Sequence, residues 1–121
     1  MYTVSDIIKD VDSGIEANNM IETYFSYRIV YYVNEGNKGS KHTEDTPYNG
    51  LRKALENIIR NNLSVTNTVV IAEVTAWKDG KSVSLLGRAY GFSLSGYFEQ
   101  IAGRKEIGYI RGSYGRRAGR C

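Results

Sequence analysis

Residues 20–33, MIETYFSYRIVYYV, constrain the fold more than any other part of the chain. The segment is dense in β-branched and aromatic side chains, which suit a pleated, half-buried surface. Because side chains alternate along a strand, one face is apolar enough to cover a core, while Tyr24, Arg28 and Tyr32 lie opposite. The apolar face comprises Ile21, Thr23, Phe25, Tyr27, Ile29, Tyr31 and Val33.

Two hairpins are predicted. Residues 34–40, NEGNKGS, have the composition of a turn, and the following KHTED can pair back onto the first strand. Residues 69–77 and 82–92 are predicted to be two further strands, joined by a KDGK turn in which Gly80 can adopt a positive φ.

Three helices are predicted around these hairpins. Ser5 is expected to cap the first, which would end near Gly14. Thr46 is expected to cap the second, with Pro47 at its first position and its end near residues 61–62. Its apolar positions are Leu51, Leu55, Ile58, Ile59 and Leu63. The third would begin at Ser93 or Ser95, carry Leu94, Phe98 and Ile101, and end near Gly103.

The element order favours an α+β fold, an antiparallel sheet of two hairpins covered by helices. At 121 residues the chain is expected to hold a single domain, residues 1–103, followed by a basic C-terminal segment, residues 104–121. That segment carries six basic residues against Glu106 alone, a net charge of +5. Residues 1–103 carry ten basic and twelve acidic residues, a net charge of −2. The split indicates an anionic partner for the C-terminal segment.

Several classes of protein are not supported. No apolar run approaches the roughly 20 residues of a membrane helix, and the N-terminus lacks the pattern of a signal peptide, so a cytoplasmic protein is expected. His42 is the only histidine and Cys121 the only cysteine, and no spacing fits a metal site or a phosphate-binding loop. We therefore predict no catalytic residues, no metal and no cofactor, and interpret His42 as a solvated side chain.

The ending IGYIRGSYGRRAGRC is the strongest local signal for binding. Arginine presents a planar fork that matches phosphate oxygens, and glycine lets the backbone approach a ligand closely. Tyrosine offers a flat face for a base. The candidate ligand-binding residues here are Tyr109, Arg111, Tyr114, Arg116 and Arg117. The alternative is a disordered, solubilising terminus.

A second candidate set lies on the last predicted strand. Arg88, Tyr90 and Phe92 alternate there with small residues. Such a pattern is typical either of close packing by a helix or of a shallow binding floor. Arg88 and Phe92 are therefore also candidate ligand-binding residues.

The helix opening TPYNGLRKAL and the ending RGSYGRR, in a small basic α+β chain, resemble the viral anti-Thoeris sponge family of the first type. The resemblance implies a non-enzymatic oligomer that sequesters cyclic ADP-ribose-type immune signals between subunits. It further implies that Arg111, Arg116 and Arg117 clamp phosphates and that Tyr114 stacks or hydrogen-bonds.

Three functions follow as hypotheses. The first is sequestration of a small anionic nucleotide by a homo-oligomer. The second is an RNA- or DNA-binding module whose basic segment follows a phosphate backbone, with affinity that falls steeply with salt. The third is an inhibitor that docks on an acidic protein surface.

Overall fold

Strand β3 (Asn67–Lys78) organises the sheet. It pairs antiparallel with β1 (Ser26–Glu35) on one side and with β4 (Lys81–Ser84) and β5 (Tyr90–Phe92) on the other. Strand β2 (Lys38–Pro47) pairs with β1 and forms an edge of the sheet.

A computed structural model describes residues 2–22 and 25–94 and the paired backbone segments 113–114 and 118–119. Within these residues the antiparallel sheet and its two helices confirm the predicted α+β fold. Ser113–Tyr114 (β6) pairs antiparallel with Ala118–Gly119 (β7). None of the helices in the described ranges is long and apolar enough to cross a membrane.

Two tight turns close the hairpins. Gly36 has a φ of +60° between β1 and β2, and Asp79 and Gly80 have φ values of +53° and +80° between β3 and β4. In the second turn both central residues have positive φ, a geometry that matches the right-handed twist of the flanking strands and explains the Asp-Gly dipeptide there.

A bulge in β3 keeps one face of the sheet apolar. The register with β1 passes from Val30 opposite Glu73 to Tyr31 opposite Ile71, which leaves Ala72 as the extra residue. The buried residues of β3 accordingly change parity, from Val69 and Ile71 to Val74 and Ala76. Because the bulge reverses the alternation, all four side chains meet the same core.

Helix α1 (Val4–Ala17) differs from the prediction at both ends. Its cap is Thr3, whose hydroxyl accepts from the backbone N–H of Asp6, while the Asp6 carboxylate accepts from the N–H of Thr3 at 2.7 Å. This reciprocal capping box satisfies two helix-terminal donors, so Ser5 is not the cap. Gly14 does not end the helix, which continues for three more residues to Ala17.

Helix α2 (Leu51–Asn62) begins later than predicted. Thr46 and Pro47 are the last residues of β2, opposite Tyr27 and Ser26, and a short 3-10 turn, Tyr48–Gly50, leads into the helix. The predicted apolar positions Leu51, Leu55, Ile58 and Ile59 are buried, and the helix ends at Asn62 as expected.

The predicted strand 82–92 is divided into β4 and β5. The Leu85 amide still donates to the carbonyl oxygen of Val74 at 2.9 Å, but the chain then leaves the sheet before it returns at Tyr90. The interruption lies beside the bulge of β3, where the ladder is already irregular. The predicted third helix lies outside the described residues beyond Leu94.

One core joins the helices to one face of the sheet. Leu85 enters this core from the segment between β4 and β5. The fully buried side chains include Ile7, Val11, Tyr27, Ile29, Leu55, Ile59, Val69, Ile71, Val74 and Phe92. The other face of the sheet carries only exposed or half-buried side chains, and in the described ranges no helix covers it. We call it the open face.

Candidate functional site

Strand register places a row of polar and aromatic side chains on the open face. Arg28 is opposite Thr75, Val30 is opposite Glu73, and Trp77 is opposite Ser82. Residues directly opposite one another in neighbouring strands project from the same face. The alternation that buries Val74 and Ala76 therefore brings their neighbours together on the other side.

These side chains line a shallow groove of about 430 Å³, which we call the Trp77 groove. A groove of this size lies within the range of small-molecule sites, about 300 to 1,000 Å³. Its lining residues are Arg28, Val30, Glu73, Thr75, Trp77, Gly80, Lys81 and Ser82. The β3–β4 turn forms one end of it.

Trp77 supplies the largest aromatic surface of the groove. Its side chain is 38% exposed, and the guanidinium carbon of Arg28 lies 5.9 Å from the centre of its ring system. An indole held at a strand position and half open to solvent can stack on a planar ligand. The Arg28 contact lies near the outer limit for a cation–π pair, about 6 Å.

Arg28 is held by a carboxylate from the edge strand. Its Nε and Nη2 atoms donate to the two carboxylate oxygens of Asp45 at 2.7 and 3.0 Å. This pairing lowers the pKa of Asp45, chiefly through the hydrogen bond. Arg28 therefore enters the groove already oriented, with its charge balanced.

The groove as a whole is close to neutral. Lys81 adds a positive charge and Glu73 a negative one, and the Thr75 hydroxyl donates to the Glu73 carboxylate at 3.2 Å. Aromatic surface, hydroxyl groups and balanced charges fit a flat polar molecule such as a nucleobase. They do not by themselves supply the excess positive charge that a phosphate requires.

Arg88, one of the predicted binding residues, lies in a separate cluster. Its guanidinium carbon is 4.2 Å from the centre of the Tyr2 ring and 5.9 Å from that of Tyr90, and the two rings pack edge to face at 5.1 Å. In the described part of the chain no carboxylate forms an ion pair with Arg88. Its hydrogen-bonding edge is thus available to an anion.

A carboxylate on α1 fixes the segment that carries Arg88. Asp10 accepts from the Tyr90 hydroxyl at 2.8 Å and from the Gly87 amide at 3.0 Å. Burial, reinforced by the bond to Asp10, raises the pKa of Tyr90 above its ordinary value. Since Tyr90 pairs with Ile71 on the buried face, this cluster and the Trp77 groove lie on opposite sides of the sheet.

Phe92 does not fit a binding role in this fold. Its side chain is 0% exposed and packs in the core opposite Val69. The pattern of long and small residues around it therefore reflects packing rather than a binding floor at this position.

The predicted residues of the C-terminal segment fall mostly outside the described residues. Tyr109, Arg111, Arg116 and Arg117 lie there, while Tyr114 is the second residue of the short strand β6. Their placement relative to the groove and to Arg88 stays a prediction.

Sequence reasoning missed Trp77, Lys81 and Tyr2 as candidate contacts. A signal was present, because Trp77 and Lys81 flank the Asp-Gly turn, and an exposed tryptophan beside a turn is a common recognition feature. Tyr2 carried no such signal, since its contact with Arg88 joins residues that are distant in sequence.

No grouping of three or more histidine, cysteine or acidic residues within the described ranges could hold a metal ion. Comparison of the chain with protein-family models, with curated proteins and with solved structures finds no match. The geometry of the groove and the charge of the C-terminal segment thus carry the functional argument.

Proposed function

We propose that this protein is a non-enzymatic, cytoplasmic binding protein that sequesters a small anionic nucleotide of the cyclic ADP-ribose type. In this proposal it blocks host immune signalling by mass action, as the sponge family it resembles does. The observation that carries the proposal is the Trp77 groove, which joins an exposed indole to hydrogen-bonding groups on the open face of the sheet.

The base of the nucleotide occupies the groove. Trp77 stacks on it, and base–aromatic stacking contributes about 1 to 3 kcal/mol at nucleic-acid sites. The hydroxyls of Thr75 and Ser82 belong to residues that line the same space and can bond the polar edges of a base.

The phosphates bind arginines of the C-terminal segment. The groove is nearly neutral, whereas residues 104–121 hold a net charge of +5. Arg111, Arg116 and Arg117 are the proposed phosphate clamps, and Tyr114 and Tyr109 add aromatic surface. Arg88 lies on the opposite side of the sheet from the groove and is therefore not part of this proposed site.

Charge favours a small ligand over a nucleic acid. Residues 1–103 have a net charge of −2, so most of the molecule repels a long polyanion. A compact ligand with one or two phosphates can instead be neutralised locally by the C-terminal arginines. An oligonucleotide whose binding falls steeply with salt would favour the alternative of a nucleic-acid module.

Tryptophan fluorescence tests the proposal directly, because Trp77 is the only tryptophan in the chain. Cyclic ADP-ribose isomers and cyclic dinucleotides are titrated into the protein, and we expect at least one of them to quench or shift the tryptophan emission. Calorimetry on the same ligands should give a matching dissociation constant. If no ligand gives heat or a fluorescence change below about millimolar concentration, sequestration is contradicted.

Two variants separate the halves of the site. Trp77→Ala should weaken binding about tenfold or more by removing the stacking surface. The double variant Arg116→Ala, Arg117→Ala should weaken the binding of nucleotides but leave the binding of the uncharged nucleoside unchanged. Val65→Ala is the matched control, since Val65 is 91% exposed and does not line the groove.

A further inference from the structure

Strand β2 forms a long edge of the sheet with no covering element in the described ranges. It runs for ten residues, pairs with β1 on one side only, and is exposed along nearly its whole length. A strand at an edge presents unpaired backbone N–H and C=O groups, which are a template for another strand.

The hairpin geometry identifies which groups point outward. Glu35 and Lys38 flank the two-residue turn and form its closing hydrogen-bonded pair. Hydrogen-bonded and non-hydrogen-bonded pairs alternate along an antiparallel ladder. The backbone groups of Lys38 and of every second residue after it in β2 therefore bond to β1. The residues with outward backbone groups are Gly39, Lys41, Thr43, Asp45 and Pro47. Pro47 lacks an N–H, as suits its place in the outward set.

We propose that two copies of the chain pair antiparallel through β2 about a two-fold axis at Thr43, so that Lys41 of each copy faces the partner's Asp45. In this register His42 also faces the partner's Glu44. Opposite charges thus meet on the open face of the joined sheet, a histidine meets a carboxylate on the other face, and cross-strand pairs of opposite charge are stabilising.

Other registers place like charges together or lose the complementarity. An axis at Lys41 would set two lysines opposite each other, and an axis at Asp45 would set two aspartates opposite each other. An axis between two residues would oppose an outward backbone group with an inward one, so no ladder could form. An axis at Glu44 would set two glutamates opposite each other, and an axis at His42 would leave Lys41 opposite Thr43, so the charges of β2 complement their own copies only about Thr43.

Contacts within each copy hold the edge in the required form. The Arg28 fork orients Asp45, and the His42 ring stacks on Tyr31 with centroids 5.2 Å apart. Charged edge strands often prevent association, but that effect relies on repulsion between like groups. Here the sequence of charges is self-complementary, as an isologous interface requires.

The joined sheet would carry both Trp77 grooves on one continuous open face. Side chains of Lys41, Thr43 and Asp45 project from the same face as Arg28. The partner's Lys41 therefore approaches the Arg28–Asp45 pair that borders the groove. This pairing stands independently of the identity of the ligand.

Light scattering on the full chain over a range of concentrations is the first measurement. Because a strand-edge contact buries less than a typical interface of about 1,600 Å², we expect a reversible dimer whose population rises with concentration. A chain that stays monomeric at high micromolar concentration would overturn the proposal.

Charge reversal tests the register. Lys41→Glu places two acidic residues opposite each other, and Asp45→Lys places two lysines opposite each other, so each variant alone should weaken dimerisation about tenfold or more. An equal mixture of the two variants restores both attractive pairs and should recover dimers as heterodimers. Lys38→Glu makes the same charge change beyond the paired region and should have little effect.

Cysteine crosslinking locates the axis. In a Cys121→Ser background, Thr43→Cys should form a disulfide dimer on mild oxidation, because the two Cα atoms of a hydrogen-bonded pair lie about 5.5 Å apart. Lys41→Cys should crosslink far less, since its counterpart is not opposite it. Equal crosslinking at both positions, or failure of the mixed variants to pair, would contradict the proposed register.

Discussion

The carbonyl oxygen of Leu85 lies 2.8 Å from the position that a Cβ on Gly14 would occupy. The Leu85 Cα is 3.1 Å from the same point, so helix α1 meets the backbone of the segment between β4 and β5 without an intervening side chain. Gly14 therefore permits a close approach, and this role explains why a glycine occurs inside α1.

Gly14→Ala should destabilise the fold. In an unconstrained helix this change stabilises by roughly 0.5 to 1 kcal/mol, so the sign of the effect identifies the contact. Here the added methyl group meets backbone atoms that cannot rotate away, and we expect a loss of about 1 to 3 kcal/mol in the free energy of unfolding. Urea denaturation measures it. Gly91→Ala is the control, because a Cβ there meets nothing within 4 Å.

Thr3→Ala should cost about 1 kcal/mol of unfolding free energy by removing the side-chain half of the capping box. The Thr3 hydroxyl accepts from the backbone of Asp6, and the Asp6 carboxylate accepts in return from the Thr3 backbone. Ser5→Ala should change stability by much less, since Ser5 lies inside the first turn. Equal losses from both variants in urea denaturation would mean that the cap is not the decisive contact.

Stability should fall in alkaline solution because tyrosines are held in their neutral form, three of them most strongly. Burial raises the pKa of Tyr27 to about 12, a hydrogen bond to Asp12 raises that of Tyr48 to about 12, and burial raises that of Tyr90. In the folded state these tyrosines thus keep their protons at pH values above the ordinary tyrosine pKa of about 10, where the unfolded chain releases them. The stabilisation is complete below about pH 10 and is lost as the pH rises toward 12.

The urea midpoint, measured from about pH 8 to about pH 11, checks this expectation. Tyr90→Phe removes one of the three groups, and its curve should fall less steeply than that of the native chain. A native curve that stays flat above pH 10 would contradict the assignment.

The sequence was sufficient to predict the elements with strong periodicity. The alternation of Tyr27, Ile29 and Tyr31 in β1, the apolar positions of α2 and both hairpin turns follow from local patterns, since each depends on side-chain alternation or turn chemistry. The predicted start of the first strand at Met20 is wrong, because β1 begins at Ser26 and Ile21 is 54% exposed. Helix starts were less predictable, because Ser5 and Thr46 resemble caps as closely as Thr3 does. Thr3 caps α1 because Asp6 completes a capping box with it, and Thr46 does not cap α2 because it pairs with Tyr27 in the sheet.

Features that depend on distant contacts were not predictable. The bulge at Ala72 lies in β3 beside the break between β4 and β5, and Leu85 in that break meets α1 at Gly14. The candidate site divides in the same way. Arg88 was named as a candidate by its residue type, and its binding role stays a prediction, whereas its contact with Tyr2 required the fold. Phe92 was also named as a candidate, although its side chain is buried in the core.

Charge changes within the Trp77 groove should alter affinity in opposite directions. Glu73→Gln removes a negative charge that repels a phosphate and keeps the size of the side chain. Lys81→Gln removes a positive charge that attracts a phosphate and keeps the side chain polar. Because single exposed charges interact weakly in water, we expect Glu73→Gln to tighten and Lys81→Gln to loosen binding of a cyclic nucleotide about two- to fivefold. Calorimetry measures both changes, and added salt should reduce them. The affinity for the matching uncharged nucleoside should change with neither variant. If the nucleoside and the nucleotide changed in parallel, the two side chains would act through the shape of the groove rather than through its electrostatic field.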